Sequence, residues 1–284
     1  MTSTVLDVTL CLLLVSAGAV TLATTTPHDA STGPSTTASD HAQTLATTTA
    51  TVEVAPAGAA DRNASRSRTR NGTVAALLAD AAVRNLSVDE TPVSAGRGHF
   101  ERVVGEATRA TVGAVGVNVV ARWRPFPDAS VSAVTAVGPS PPGDADVHAA
   151  TVSVPSGLPS ARRAAHRQAD REGFTGVARV LGDRVVAGLF PPGTTAAALG
   201  PSPESNSPRV ASLRDRYRRT AALADVRVAK SANGIDVRRT NARLADAFAT
   251  RFERALRREY ETPGAAADAV EVGTVTVVVR TWSR

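Results

Sequence analysis

At 284 residues, 43% hydrophobic and 20% charged, the chain has enough apolar material for one or two small domains and is not disordered throughout. Aromatics make up only 4%, so its core has to be built from Ala, Val and Leu. The formal charge of +6 does not make it a nucleic-acid reader: arginines interleave with acids in "RDRYRR" and "RFERALRREYE", as on a solvated helix face, and there is no ribonucleoprotein motif or Cys/His finger, so no nucleic-acid partner is expected.

Residues 8–23 carry no charge, and with Val5 and Leu6 the oily run approaches the length that spans hydrocarbon as a helix. Residues 1–23 are therefore expected to form a retained transmembrane anchor in contact with membrane lipid. A cleaved signal peptide is the rival, with Ala17-Gly18-Ala19 as an A-x-A-like site, but no Lys or Arg precedes the run. Asp7 would lie near one interface, either at the headgroups, where it complements the helix dipole, or against a neighbouring subunit as an assembly contact. Cys11 is the single cysteine, which excludes a disulfide within the chain and a Cys-type zinc site, and Leu10 before it does not suit lipoprotein cleavage.

Residues 24–42, rich in Thr, Ser and Pro, read as a solvated stalk. The first arginine, Arg62, lies too far on for flanking charge to orient the anchor. The stalk composition and three N-x-S/T sequons, at Asn63, Asn71 and Asn85, point to the outside, with those asparagines as candidate glycosylation sites. The expected topology is a single-pass protein of the cell membrane with its C-terminal domain external.

Residues 43–284 read as an α+β external domain, with a division into two subdomains near 155–160. "QTLATTTATVEV" ends in an alternating Thr/Val pattern and reads as a first strand, followed by the loop "APAGAADRNASRSR". In "TVAALLADAAV" Val74, Leu77, Leu78 and Ala81 share a helix face, and a second helix is expected from His99 to Ala110. In the strand that follows, Val115, Val117, Val119, Ala121 and Trp123 share a face. "ASVSAVTAVG" and "DVHAATVSVP" are further strands, separated by the turn "PSPPGDAD". Ser160 is the expected N-cap of a helix that stops at Gly173, and a helix carrying Phe174, Val177, Leu181, Val185 and Leu189 runs on to the closing Pro191-Pro192-Gly193. Ser207-Pro208 opens a helix with Val210, Leu213, Tyr217 and Ala221 inward. The strongest helical signal is Leu244, Phe248, Phe252, Leu256 and Tyr260 at every fourth position, ended by Pro263-Gly264. "AVEVGTVTVVVRTW" is a strand whose valine run, apolar on both faces, makes it central. "FERVVGEA" and "FERALRRE" are each followed by a strand ending in Arg-Trp or Arg-Thr-Trp, an echo in which a one-residue slip reverses the faces.

No P-loop, H-E-x-x-H, G-x-S-x-G or S-x-x-K motif is present, and the five histidines lack metal-ligand spacing. His148 with Asp144 and Asp146 is the one acidic and imidazole cluster, and a turn leading into a strand accounts for it. No catalytic residue, cofactor or metal ligand is nominated, and the protein is not expected to be an enzyme.

The segments "TSTVLDVTLCLLLVSAGAVTLA", "PSPPGDADVHAATVSVPSG", "VVAGLFPPG" and "VVVRTWS" together resemble an uncharacterised family of haloarchaeal membrane-anchored proteins, over nearly the full length. The resemblance implies a place beside components of type IV or tight-adherence-like pilus or secretion machinery, with other envelope subunits as partners. Similarity to type IV pilins would give Asp7 a subunit contact, although the basic-Gly peptidase site of pilins is missing. The expected function is an accessory, pilin-like or envelope assembly component without catalysis. The alternative is an external hydrolase or ligand-binding protein tethered by the same helix.

Overall fold

The computed structural model describes residues 34–54, 68–94, 98–113, 116–201, 207–231 and 234–283. The anchor, Asp7, Cys11, Asn63, Val115 and the loop over 55–67 lie outside the described residues. Among the described residues no helix is long and apolar enough to cross a membrane. They form an α+β architecture of eight helices and three antiparallel sheets.

Helix α1 (Pro34–Thr47) corrects the stalk expected over residues 34–42 and the strand expected from Gln43, while residues 24–33 lie outside the described residues. Ala38, Ala42 and Leu45 recur at helical spacing and are buried, so an apolar stripe inside the Thr/Ser-rich tract docks the helix. Residues 34–42 therefore belong to the described α+β domain. Strands β1 (Thr49–Val54) and β2 (Arg68–Thr73) pair with each other apart from the main sheet. Helix α2 (Val74–Arg84) starts at Thr73, whose hydroxyl accepts from Ala76 N at 3.2 Å, and it buries Val74, Leu77, Leu78 and Ala81 as the periodicity requires.

Strands β3 (Leu86–Val88) and β4 (Thr91–Pro92) are joined through Asp89 and Glu90 at φ 46° and 63°. Two left-handed residues in a two-residue loop make the turn that matches strand twist. Helix α3 (His99–Val112) is closed by Gly113 at φ 57°, whose N–H reaches Arg109 O. Strands β5 (Val117–Trp123), β6 (Val131–Val137) and β7 (Val147–Pro155) follow.

Helix α4 (Arg162–Leu189) breaks at Gly173, which takes φ 62° and ψ −144°, so the stop read from the sequence is a kink between two helical halves. Ser160 is not its cap: Ala161 occupies that position without a side-chain bond. Pro192 begins a short helix, α5 (Pro192–Leu199), where only a terminating turn was expected. Helix α6 (Pro208–Leu223) opens at Ser207, whose hydroxyl accepts from Val210 N. A small hairpin of β8 (Lys230–Ser231) and β9 (Gly234–Ile235) leads to α7 (Val237–Glu259), capped by Asp236. Pro263-Gly264 does not merely end α7 but starts α8 (Pro263–Asp268), with Thr262 as its cap. The last strand is β10 (Thr274–Trp282).

The main sheet has the order β4-β3-β6-β5-β10-β7, every pair antiparallel. β10 is indeed internal, between β5 and β7, but its burial alternates, with Val275, Val277, Val279 and Thr281 inward and the others half-exposed. One face of the sheet is covered by α1, α2 and α3. Because β10 joins strands from before and after residues 155–160, the described chain does not divide there, and residues 34–284 cluster as one unit.

The remaining helices pack around the α4–α7 pair. A Cβ at Gly182 of α4 would lie 2.3 Å from Ala245 O of α7, so the two backbones touch there and only glycine fits. Leu244, Phe248, Phe252 and Leu256 are fully buried, and Phe252 meets Phe126 edge-on at 5.5 Å, tying α7 to the end of β5. Tyr217 donates to Asn241 Oδ1 at 2.7 Å, and Asn241 Nδ2 donates to Phe190 O at 2.8 Å. Burial pushes the Tyr217 phenol up to about 12.

Arginines bind helix ends across these layers. Arg251 of α7 donates to Ala224 O and Leu223 O at the end of α6 and lies 3.6 Å from each of Asp225 and Asp89, both left-handed. Arg216 of α6 donates to Val83 O at the end of α2, 3.4 Å away. Burial, with Arg84 beside it, pushes its pKa down to about 10, which leaves it charged at neutral pH. Glu253 is held below the ordinary carboxylate range by hydrogen bonds from Arg257 and from Thr175 of α4, both at 2.7 Å.

Three outcomes follow from this packing. Phe252→Ala should cost about 3–5 kcal/mol and leave the domain protease-sensitive, read by denaturant melts and limited proteolysis. Gly182→Ala should cost about 1–3 kcal/mol by forcing α4 off α7, read by the same melts. A depressed carboxylate stabilises the fold above its unfolded pKa and loses that contribution as pH falls through its folded pKa. Glu253→Gln should therefore be less stable than the parent at neutral pH and converge with it in acid, as followed by urea midpoints across that range.

Candidate functional site

The strand alternation that buries Val119, Ala121 and Trp123 of β5 and Val275, Val277 and Val279 of β10 sends their neighbours to the opposite face. On the edge strand the same alternation is plain: Val147, Ala149, Thr151 and Ser153 are exposed, whereas Ala150 and Val152 pack on the core. The result is a broad sheet face turned away from the α1–α3 layer.

The register fixes what this face displays. One row across the strands reads Thr151, Val278, Val120 and Ala136, small and largely apolar. The row on one side contains Ala149, Arg280 and Asn118, and the row on the other contains Ser153, Thr276, Arg122 and Val134. The two arginines thus stand on either side of an apolar row, their Cα atoms about 14 Å apart from strand spacing. A shallow groove of about 260 Å³ runs between Val120, Arg122, Thr276, Val278 and Arg280, with Arg124, Phe126 and Glu271 at one end.

Charge in the groove is uneven. Among the described residues neither Arg122 nor Arg280 lies within ion-pairing distance of a carboxylate, and Arg124 reaches Asp128 only at 3.9 Å, with its Nε buried and unbonded. Glu271 is already engaged, 3.7 Å from Arg162. Guanidinium groups present planar forks of donors that suit carboxylate or phosphate oxygens. An apolar strip between unpaired guanidinium groups is fitted to a surface that is itself apolar in the middle and acidic at its rims.

The residues singled out from the sequence are not gathered here. Asp7 and Asn63 fall outside the described residues. Asn71 is exposed on β2, and the threonine of its sequon, Thr73, is the cap of α2. Asn85 is half-buried, and its amide nitrogen, the atom a glycan would occupy, donates to Val134 O at 2.6 Å. His148 Nε2 lies 3.5 Å from Asp146 at the start of β7, and no group of three potential ligands that could hold a metal occurs among the described residues. A second basic recess, of about 540 Å³, lies between Arg214, Arg218 and Lys230, and it borders 202–206 and 232–233, which are outside the described residues.

Arg122 and Arg280 escaped the sequence reading, although a signal was there. In the Arg-Trp and Arg-Thr-Trp echo the arginines share the open face, while the extra residue sends Trp123 to the covered face and Trp282 to the open one. Trp123 is wholly buried and its indole N–H donates to Val272 O at 2.8 Å.

No curated protein and no solved structure matches the chain. A family model described as a family of unknown function, DUF7284, matches residues 6–282. That span takes in every described helix and strand, and the chain belongs to the DUF7284 family.

Proposed function

We propose that the protein is an accessory, pilin-like assembly component of the cell envelope, without catalysis, held by a single helix over residues 1–23 and displaying its α+β domain outside the cell. The oily run of near-spanning length and the resemblance to proteins placed beside pilus or secretion components support the anchor and the setting. The observation that carries the assembly role is the open sheet face, a wide and shallow surface with an apolar row between the unpaired Arg122 and Arg280. Such a surface suits a protein partner with acidic rims. The arginine-lined groove also favours a second reading, a tethered protein that binds a small carboxylate or phosphate compound there.

Tagged full-length protein should partition with membranes and retain its first residues. N-terminal sequencing that finds a start at Val20 or Thr24 would leave a secreted soluble chain instead. Asp7→Asn should leave membrane level unchanged and reduce co-purifying envelope subunits; unchanged partners would return Asp7 to a headgroup role.

The paired change Arg122→Glu with Arg280→Glu tests the face directly. The expected outcome is normal membrane abundance and melting with loss of the co-purifying envelope subunits. Retained partners combined with loss of binding to a small anion, measured by calorimetry, would favour the ligand-binding reading.

A further inference from the structure

The two edges of the main sheet are unlike. One is β4, two residues long and ending in Pro92, which blunts it. The other is β7, nine residues paired without interruption to β10 and, among the described residues, to no other strand. From Val147 to Val154 it contains no Lys, Arg, Asp, Glu or Pro and no bulge, so it lacks the usual devices that stop a strand edge from accepting another strand.

The direction of its backbone groups follows from one hydrogen bond. Ser156 N donates to Gly273 O at 2.9 Å, continuing the register in which Pro155 faces Thr274. In an antiparallel ladder alternate residues turn both N–H and C=O to the same neighbour. Even-numbered residues of β7 therefore serve β10, and Val147, Ala149, Thr151 and Ser153 point theirs to the free edge. Pro155 falls in the outward set, where its missing N–H costs the existing ladder nothing.

We propose that two copies of this chain pair through β7, antiparallel about a two-fold axis at Thr151, joining their six-stranded sheets edge to edge. In this register Thr151 faces its own symmetry mate, Ala149 faces Ser153 and Val147 faces Pro155, so outward groups meet outward groups and form about eight hydrogen bonds. No like charges are brought opposite one another, because the paired segment is uncharged apart from His148, which faces Val154. A two-fold normal to the sheet keeps the open face of one copy continuous with that of the other.

The covered side agrees with this arrangement. Helix α1 lies across both β7 and β10. Strand spacing of about 4.8 Å then sets the two α1 helices about 10 Å apart across the axis, a normal helix-packing distance. The exposed residues of α1, Thr37, Ser39, Asp40, Gln43 and Thr47 among them, supply polar surface beside a strand edge that alone, about 31 Å long and 10 Å thick, would fall below the area of a stable dimer. The occupant is a second copy of this chain, independent of the anchor and of any partner on the open face.

The test uses the full-length chain with Cys11→Ser, purified in mild detergent, so that an introduced cysteine is the only thiol. Facing residues of a hydrogen-bonded pair have Cα atoms about 5.5 Å apart, within disulfide range. Thr151→Cys should give a covalent homodimer on mild oxidation, and Ala136→Cys, on the open face away from the edge, should not. Thr151→Pro, made without a cysteine, removes an outward N–H and spares the bonds to β10, so the thermal midpoint should hold while dimer captured by a lysine-independent cross-linker falls about tenfold. Thr151→Lys, which sets like charges opposite each other at the axis, should give the same loss if the proline variant fails to fold. A monomeric Thr151→Cys protein, equal cross-linking at Ala136→Cys, or a Thr151→Cys disulfide to a different protein would each overturn the proposal.

Discussion

The structure depends on the insertion of β10 between β5 and β7. Nine residue pairs on one side and six on the other hold it, and each ladder joins segments more than a hundred residues apart. The approach to this strand is equally fixed: Val272 O accepts from both Trp123 Nε1 and Ser156 Oγ at 2.8 Å, and Val270 O accepts from Arg162 Nε at 3.1 Å. One short run thus binds the end of β5, the end of β7 and the start of α4. Without it, β5 and β7 would have no common neighbour, and α4 would lose its bond from Arg162 to Val270 O, leaving the α4–α7 group joined to the sheet through Phe252 and Phe126. Contacts this distant in sequence are entropically costly to close and are expected to make folding slow relative to a helical bundle.

Regular elements were legible where one physical signal spoke alone. The fourth-position series Leu244, Phe248, Phe252 and Leu256 permits only a helix with one buried face, and the structure buries all four. Gly173 was legible as an interruption because no other residue there takes a left-handed φ without strain, and the chain does break its helix at that point. Signals that serve two purposes misled. Pro192 and Pro263 each stand after one helix and at the start of another, and a proline that ends a helix is chemically the same as one that begins the next. In α1 the abundance of Thr and Ser concealed the Ala38, Ala42 and Leu45 stripe, which has few apolar atoms yet packs completely.

The open face was harder to read, for a geometric reason. Arg122 and Arg280 are remote in sequence, and only the pairing of Thr276 with Arg122 and of Arg280 with Asn118 sets them on either side of one apolar row. The valine run of β10 also suggested burial on both sides, whereas Thr274, Thr276, Val278 and Arg280 form a half-exposed surface. Composition reports how much apolar area a strand carries. It does not report whether a second layer exists to cover it.

The arginine contacts with backbone carbonyls bear on behaviour in concentrated salt. Dissolved ions screen attraction between charges within a few ångströms at molar ionic strength, and in the 3.6 Å pairs of the partly buried Arg251 the carboxylates of Asp89 and Asp225 are exposed to that screening. Its bonds to Leu223 O and Ala224 O, like those of Arg216 to Val83 O and Arg162 to Val270 O, join a cation to an oriented neutral dipole at hydrogen-bond distance. Mobile ions have no net charge on the carbonyl to neutralise and little room to enter. These links, helix to helix for Arg251 and Arg216 and from α4 to the approach to β10 for Arg162, therefore depend less on ionic strength than a pairing of opposite charges does.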